Sequence, residues 1–477
     1  MSPIPGDTRP VPTASRSRAP SRTAPSAPSP SPSPSPPALP GLRRHAPTIV
    51  LCVAGAGLGL VVGLAFKDET AGAWRAPGGV AIFLGSVTGL AGTYLAMLMV
   101  LLASRLPFVE SALGFDGLLR WHRRLGPWPI TLLSLHAAVL VLGYAEAART
   151  GALHEIGTLV SGFPYVLAAF AGLGLMLMAG FASVRAVRRR LRRETWWVVH
   201  LYLYLALALS FAHAVVLGPD FVGHPVTRIV WSAAWAATAG SVLVWRFGVP
   251  LARTLRHRLV VYEVRTETPE VCSIILKGRH LDRLALEGGQ FVEWRFLARG
   301  LWWQAHPYTV SGLPQRDYLR ITVRRLGDHS RAVTRLRRGT RVAFEGPYGV
   351  FTAEHRRRQR VALVAAGVGV TSIRPLLEDL PAGTDPAVVV RATSAGALPL
   401  RDEIAALVES AGGVLHELYG SRRKHVIDGR RLRQLVPDIS ERDVYVSGPE
   451  DFVAAVSAAA RRLGVPDAAL HHEAYAL

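Results

Sequence analysis

Six apolar stretches constrain this chain more than any other feature. They lie near 47–66, 80–103, 125–145, 162–184, 196–217 and 226–248. Each is about 20 residues long, and at 1.5 Å rise per residue that spans a hydrocarbon core of roughly 30 Å. Several contain Gly or Pro, which membrane helices tolerate. Half of the 477 residues are apolar and only 19% are charged, yet the net charge is +21. A soluble nucleic-acid binder is also basic but lacks such runs, so nucleic acid is excluded as a partner and the lipid bilayer is expected instead.

The charges between the stretches set an orientation. Arg43 and Arg44 precede the first. Arg105, Arg120, Arg123 and Arg124 separate the second from the third. Arg185, Arg188, Arg189, Arg190, Arg192 and Arg193 separate the fourth from the fifth, and Arg253, Arg256 and Arg258 follow the sixth. The other loops are poor in Lys and Arg. The positive-inside rule then puts both termini in the cytoplasm of an integral plasma membrane protein. Residues 1–40 hold 13 of the 33 prolines and nine serines, a composition that cannot form a core and predicts a disordered tail over 1–45. The two cysteines, Cys52 and Cys272, can hold neither a disulfide framework nor a four-cysteine cluster.

Four histidines fall in or beside the apolar stretches. The third carries His122 and His136, 14 residues apart, and the fifth carries His200 and His213, 13 apart. Ionisable residues inside spans are costly and mark function by default. Each pair is separated by about 20 Å along its helix, so His122 and His200 fall near the cytoplasmic side, and His136 and His213 near the outer side. Two helices offering one imidazole each at two matched depths suit two stacked b-type haems. The spacing poses one problem. Fourteen residues return to within about 40° of one helix face, whereas 13 leave about 140°. The fifth helix is tilted, or irregular, or presents its ligands in different directions.

Beyond 255 the pattern is that of a soluble protein. Residues 259–265 alternate as a strand and short strands follow to 345, as in a small antiparallel β-barrel. From 360, strands at 361–366 and 387–392 alternate with helices, as in a parallel α/β sheet. The expected fold is therefore multidomain: 46–250 a six-helix transmembrane bundle, 255–355 the β-barrel and 356–477 the α/β domain.

The motif His306-Pro307-Tyr308-Thr309, after the strand Gln290–Trp294, resembles the flavin motif of the ferredoxin–NADP reductase superfamily, in the His-Pro form of NADPH oxidases and ferric reductases. The resemblance implies that Tyr308 stacks on the FAD ring, that Thr309 bonds it, and that His306 and Pro307 belong to the same set. Arg324, Gly327 and Ser330 stand where that superfamily holds the FAD pyrophosphate, at a predicted helix start whose amides favour anions. Glu345-Gly346-Pro347-Tyr348-Gly349 closes the barrel in the family's manner. Gly367, Gly369 and Thr371 form a short turn after a strand, similar to the family's nicotinamide turn, with Ser372 where Pro is common. Ser447-Gly448-Pro449 stands where the family has Cys-Gly-Pro, and Tyr475 where a terminal aromatic shields the flavin; Ser447 and Tyr475 are thus the candidates beside the hydride. Arg391, Ser394 and Arg422-Arg423-Lys424 suit a 2′-phosphate, hence NADPH in preference to NADH.

The resemblance covers roughly 80–477 and implies a ferric reductase or NADPH oxidase-like flavocytochrome. In it, cytoplasmic NADPH reduces FAD, and two haems pass electrons to an acceptor across the membrane. That acceptor is a ferric or cupric chelate, dioxygen, a quinone or a redox protein. His154, Glu155, Asp220 and His224 in the outer loops are placed to attract a metal cation. The competing readings are a haem-free, membrane-anchored NAD(P)H–flavin reductase serving a partner protein, and a transporter with a regulatory nucleotide domain.

Overall fold

The computed structural model describes residues 40–67, 71–421 and 426–475. The chain divides into two units, Met1–His45 and Ala46–Leu477, and the second carries the helices from Ala46 onward and both sheets. Residues 1–39 of the expected tail, and Arg422, Arg423 and Lys424, lie outside the described residues.

The N-terminal half is helical: α1 (Pro40–Leu64), α2 (Gly79–Ala103), α3 (Pro107–Leu125), α4 (Pro127–Ala148), α5 (Ala152–Gly162), α6 (Val166–Ser183), α7 (Arg193–Leu217) and α8 (Pro225–Ser241). Among the described residues, four helical segments are long and apolar enough to cross a bilayer: Gly79–Ala103, Gly117–Ala148, Val166–Ser183 and Glu194–Leu217. The first expected stretch appears as a shorter apolar helix, Thr48–Leu64. The sixth is divided. Helix α8 gives way at Val242 to a π-helical stretch, Val242–Gly248, which runs into α9 (Val249–His257). Arg246, inside the expected stretch, bonds Glu345 of the sheet region at 2.5 Å, so the apolar part ends above it. His122 and His136 lie on one candidate span, Gly117–Ala148, as expected, with His122 on α3 and His136 on α4 to either side of Gly126-Pro127.

Helix α2 packs along α4, and α6 along α7. Small residues permit the close approach. A Cβ at Gly85 would lie 2.4 Å from Leu140, and one at Gly172 would lie 2.8 Å from the Ala206 carbonyl. Close backbone approach through small residues is the usual means of helix packing in lipid.

The C-terminal half holds two sheets. The first contains β1 (Val260–Thr268), β2 (Val271–Lys277), β3 (Phe291–Phe296), β4 (His306–Gly312), β5 (Tyr318–Arg324) and β6 (Val342–Tyr348), in the order β1-β2-β5-β4-β3-β6. Its neighbours pair antiparallel. Val260 also bridges Arg341, and the Val342 amide donates to the Leu259 carbonyl at 2.9 Å, tying the first strand to the last. Residues alternate in and out along β6, and the inward set, with Trp294, Phe296, Ile274 and Ile321, forms the core. The short helix α10 (Asp328–Val333) follows β5.

The second sheet contains β7 (Val361–Ala366), β8 (Ala387–Ala392), β9 (Val414–Tyr419), β10 (Asp443–Pro449) and β11 (Leu470–Tyr475), all parallel, in the order β11-β10-β7-β8-β9. Helices α11 (Val370–Asp379), α12 (Arg401–Ser410), α13 (Gly429–Leu435) and α14 (Glu450–Arg462) accompany it. Every residue of β7 is buried, as expected for a parallel strand covered on both faces. Arg320 of β5 reaches Glu403 of α12 through two bonds of 2.6 and 2.7 Å, and Arg374 of α11 reaches the same carboxylate at 2.8 Å. These charge-assisted bonds join the two sheet regions and hold the Glu403 carboxyl below its usual range.

Candidate active site

The four histidines meet as two pairs. The His122 and His200 rings lie 6.0 Å apart between centroids at 65°, and the His136 and His213 rings lie 6.4 Å apart at 49°. The angular mismatch within α7 has its counterpart on the other side. His122 and His136 sit on helices divided at Pro127, which has no amide to continue the hydrogen-bond ladder, so the two partners need not share one face. His136 Nδ1 lies 2.7 Å from the Gly85 carbonyl of α2. The Nδ1 atoms of His122, His200 and His213 are buried and find no hydrogen-bond partner among the described residues. Trp196 stacks on His200 at 4.9 Å and 22°, and the Arg188 guanidinium lies 4.4 Å from the Trp196 ring centre.

In the antiparallel sheet, β3 opposes β4 so that Trp294 faces His306, Glu293 faces Pro307 and Phe291 faces Thr309. The Trp294 indole donates to the Tyr308 carbonyl at 3.0 Å, fixing the strand. His306 stacks on His329 at 3.5 Å, and the Tyr308 hydroxyl lies 3.1 Å from His329 Nδ1. Arg324 is occupied by Glu270 at 2.9 Å. The Ser330 hydroxyl accepts from the Leu326 and Gly327 amides, both at 2.9 Å, and donates to the Gly327 carbonyl at 3.0 Å, so it closes its own turn.

The two sheets meet at Thr309. Its hydroxyl donates to Glu473 at 3.0 Å and lies 3.2 Å from the Tyr475 hydroxyl. Ser372 donates to the other Glu473 oxygen at 2.6 Å and contacts the Tyr475 hydroxyl. Burial, reinforced by the Glu473 carboxylate, pushes the Tyr475 phenol above its ordinary value. Ser447 pairs with Glu473 in the β10–β11 register and Pro449 with Tyr475. At Gly369 a Cβ would lie 2.4 Å from the Ser447 carbonyl, so only glycine lets the β7 turn touch the β10 turn. Gly367 has φ +57 and Gly448 φ +153, and the Thr371 hydroxyl caps the turn on the Val368 carbonyl at 2.8 Å. Tyr475 thus meets Thr309 of the flavin-type motif, and Gly369 brings the β7 turn against Ser447 and Gly448 of β10. Arg391 pairs with Ala366 at the start of the Gly367 turn, and Ser394 follows the end of β8.

Sequence reasoning missed Glu473 and Ser372 as site residues. The signal for Glu473 was present: it is two residues from Tyr475 on one strand, hence on the same face. Of the outer-loop candidates, Glu155 is buried and accepts a bond from Thr150 at 3.2 Å, and His224 Nδ1 lies 3.4 Å from the Lys67 ammonium. Asp220 lies in the turn after α7, and His154 starts α5 with Glu155.

Residues 88–211 match a family described as ferric reductase like transmembrane component, and residues 258–352 match an FAD-binding domain. Rat dual oxidase 1 is 24% identical over 307 residues, 57% of this chain and 18% of that protein. A Mycobacterium tuberculosis NADPH oxidoreductase is 26% identical over 235 residues, 47% of this chain and 61% of its own length. The chain therefore spans less than a fifth of the dual oxidases it matches. Among solved structures, the FAD/NAD-binding domain of nitric oxide dioxygenase from Vibrio cholerae is 22% identical, covers 46% of this chain and 99% of its own, and superposes with a TM-score of 0.39. The chain is thus similar to ferric reductase-like membrane components over 88–211 and to FAD-binding domains over 258–352. Its apolar helical region resembles the first family and its antiparallel sheet region the second.

The matched membrane segment holds His122, His136 and His200, and His213 lies two residues past its end. The histidines fit a haem iron. Metal–imidazole bonds of about 2 Å on both sides of one ion put ligand nitrogens about 4 Å apart and ring centres about 6 Å apart. Among the described residues no group of three or more His, Cys, Asp or Glu could hold a bare metal ion. A haem iron asks the protein for only two ligands.

Proposed function

We propose that the chain carries electrons from cytoplasmic NADPH, by way of FAD and two b-type haems, to an acceptor across the plasma membrane. The acceptor is a ferric or cupric chelate, dioxygen, a quinone or a redox protein. The observation that carries this reading is the pairing of four half-buried histidines at two levels, with centroid separations of 6.0 and 6.4 Å. Bound flavin would take two electrons as a hydride and release them one at a time to haem, the conversion that nicotinamide alone cannot perform.

In this reading 46–250 forms a six-span haem domain with its basic loops and both termini cytoplasmic, 255–355 a closed FAD barrel and 356–477 the nicotinamide domain, behind a 1–45 tail. His122 and His200 hold the inner haem, and His136 and His213 the outer one. The Gly85 carbonyl fixes the His136 ring through Nδ1 and leaves Nε2 for the metal. Tyr308 and Thr309 present an aromatic face and a hydroxyl to the flavin ring, with His306 and Pro307 shaping the strand. Arg324, Gly327 and Ser330 receive its pyrophosphate, which requires Arg324 to release Glu270. Gly367, Gly369, Thr371, Gly448 and Pro449 bring backbone amides to the NADPH pyrophosphate, and Arg391 and Ser394 meet its 2′-phosphate. Tyr475 covers Thr309, and Ser447, on the neighbouring strand, would border the nicotinamide were it bound. Glu473, which accepts from both Thr309 and Ser372, holds these two hydroxyls in register.

The test is haem content in four single variants. His122→Ala and His200→Ala are expected to remove the same half of the haem, and His136→Ala and His213→Ala the other half, with flavin retained in all four. Undiminished haem in every variant would overturn the assignment.

A further inference from the structure

We propose that a cleft between α9 and the antiparallel sheet region binds the phosphate of an anionic phospholipid. The cleft measures about 310 Å³ and combines the guanidinium-bearing residues Arg253, Arg256 and Arg283 with the apolar Val249, Leu284 and Pro347. Arg253 is fixed in place, because it donates to the Gly346 carbonyl of β6. Arg256 and Arg283 are exposed, and among the described residues neither is held by a carboxylate. Guanidinium groups match phosphate with paired donors.

The position of the cleft selects a lipid over a free anion. Leu243, Phe247, Leu251 and Leu255 are 65%, 62%, 59% and 62% exposed, and they recur every four residues from the π-helical stretch into α9. One uncovered apolar side therefore continues from the end of the last apolar helix to the residue next to Arg256. Acyl chains cover such a side, and the stripe ends where headgroups begin. Helix α9 thus turns leucines to the bilayer and arginines to the sheet region. A phosphodiester at the end of an acyl chain satisfies both the stripe and the cleft, whereas a soluble phosphate leaves the stripe bare.

This inference depends on the membrane assignment and not on haem or electron transfer, so its outcome is separable from that of the proposed activity. The full chain is placed in nanodiscs of phosphatidylcholine containing a minor fraction of phosphatidylglycerol, then extracted. The phosphatidylglycerol retained per protein is measured by mass spectrometry. Arg256→Gln with Arg283→Gln is expected to reduce retention by about thirtyfold, from the loss of the two cleft guanidinium groups that pair with the phosphate. Arg256→Lys with Arg283→Lys is expected to restore at least half of it. A loop variant, Arg188→Gln with Arg189→Gln and Arg190→Gln, is expected to keep it, and added inorganic phosphate is expected not to displace it. Unchanged retention in the glutamine variant overturns the proposal. So does loss confined to the loop variant, or displacement by inorganic phosphate. An unaltered melting temperature of the glutamine variant separates a lost site from a lost fold.

Discussion

His136 is held by a position that has no side chain. A Cβ at Gly89 would lie 2.4 Å from His136 Nδ1, so the ring rests against the backbone of α2. Gly89→Leu is expected to expel that ring at an overpacking cost of about 1–3 kcal/mol. Haem per flavin would fall by half, as measured by pyridine haemochrome against flavin absorbance. Full haem in this variant would show that His136 is not a ligand. Thr309 carries a second expectation. It bonds Glu473 and Tyr475 together, so Thr309→Val is expected to slow flavin reduction by NADPH about ten- to a hundredfold in stopped flow, with haem content unchanged. At this scale the histidines, the His306–Thr309 motif and the Gly367–Gly369 turn were legible, because each is a short run with distinctive chemistry. Gly89 and Ser372 were not. Their roles depend on which distant side chain packs against them, and one chain without its fold does not contain that information.

Elements meet at a joint that no local pattern announces. Arg105, just past α2, has φ 61 and lies 3.4 Å from Glu345 and 3.8 Å from Glu293, with its guanidinium 4.1 Å over Tyr348. Arg246 takes the same Glu345, and the Tyr348 hydroxyl donates to it at 2.9 Å. Glu293 lies directly across from Pro307, so the joint is one strand away from the flavin-type motif. Arg105→Met leaves two carboxylates short of a partner. It is expected to cost about 2–4 kcal/mol and to raise amide exchange along β3 and β6, while the exchange of β7 stays as before. Unchanged exchange would show that Arg105 does not dock the sheet region. Glu110 on α3 adds a pH dependence. Burial, with Glu345 nearby, pushes its carboxyl up to about 7, against the pull of Arg105 and Arg253. A folded value above the unfolded one means that the neutral carboxyl stabilises fully below about 4.5, and that this contribution is lost as pH rises through 7. Glu110→Gln is therefore expected to raise the melting temperature at pH 8, by the equivalent of about 1–3 kcal/mol, and to leave it nearly unchanged at pH 5. The opposite pattern would place Glu110 in a paired, ionised state. The bounds of β7 and β8 were readable here, since their short apolar runs at 361–366 and 387–392 stand out in the sequence. The end of the sixth apolar stretch was not, because its limit is set by Arg246 meeting a carboxylate 99 residues away.

At the scale of the whole molecule, the order of parts was written in composition: apolar helices, then alternating strands, then strands interleaved with helices. Their assembly was not, since Arg105 and Glu345 are joined only by folding. One outer-loop candidate also changes its reading. Glu155 looked free to attract a cation, yet it is buried on Thr150, so its replacement should lower stability and leave acceptor choice alone. The central claim is an electron path through two haems, and it implies a simple stoichiometry. The most direct measurement is the reduced-minus-oxidised spectrum of the purified full chain, with haem and flavin quantified, taken first with dithionite and then with NADPH. An electron path of this kind gives low-spin b-type bands at two haems and one FAD per chain, reduced by NADPH as fully as by dithionite. Flavin without haem, or haem that dithionite reduces and NADPH does not, would contradict it.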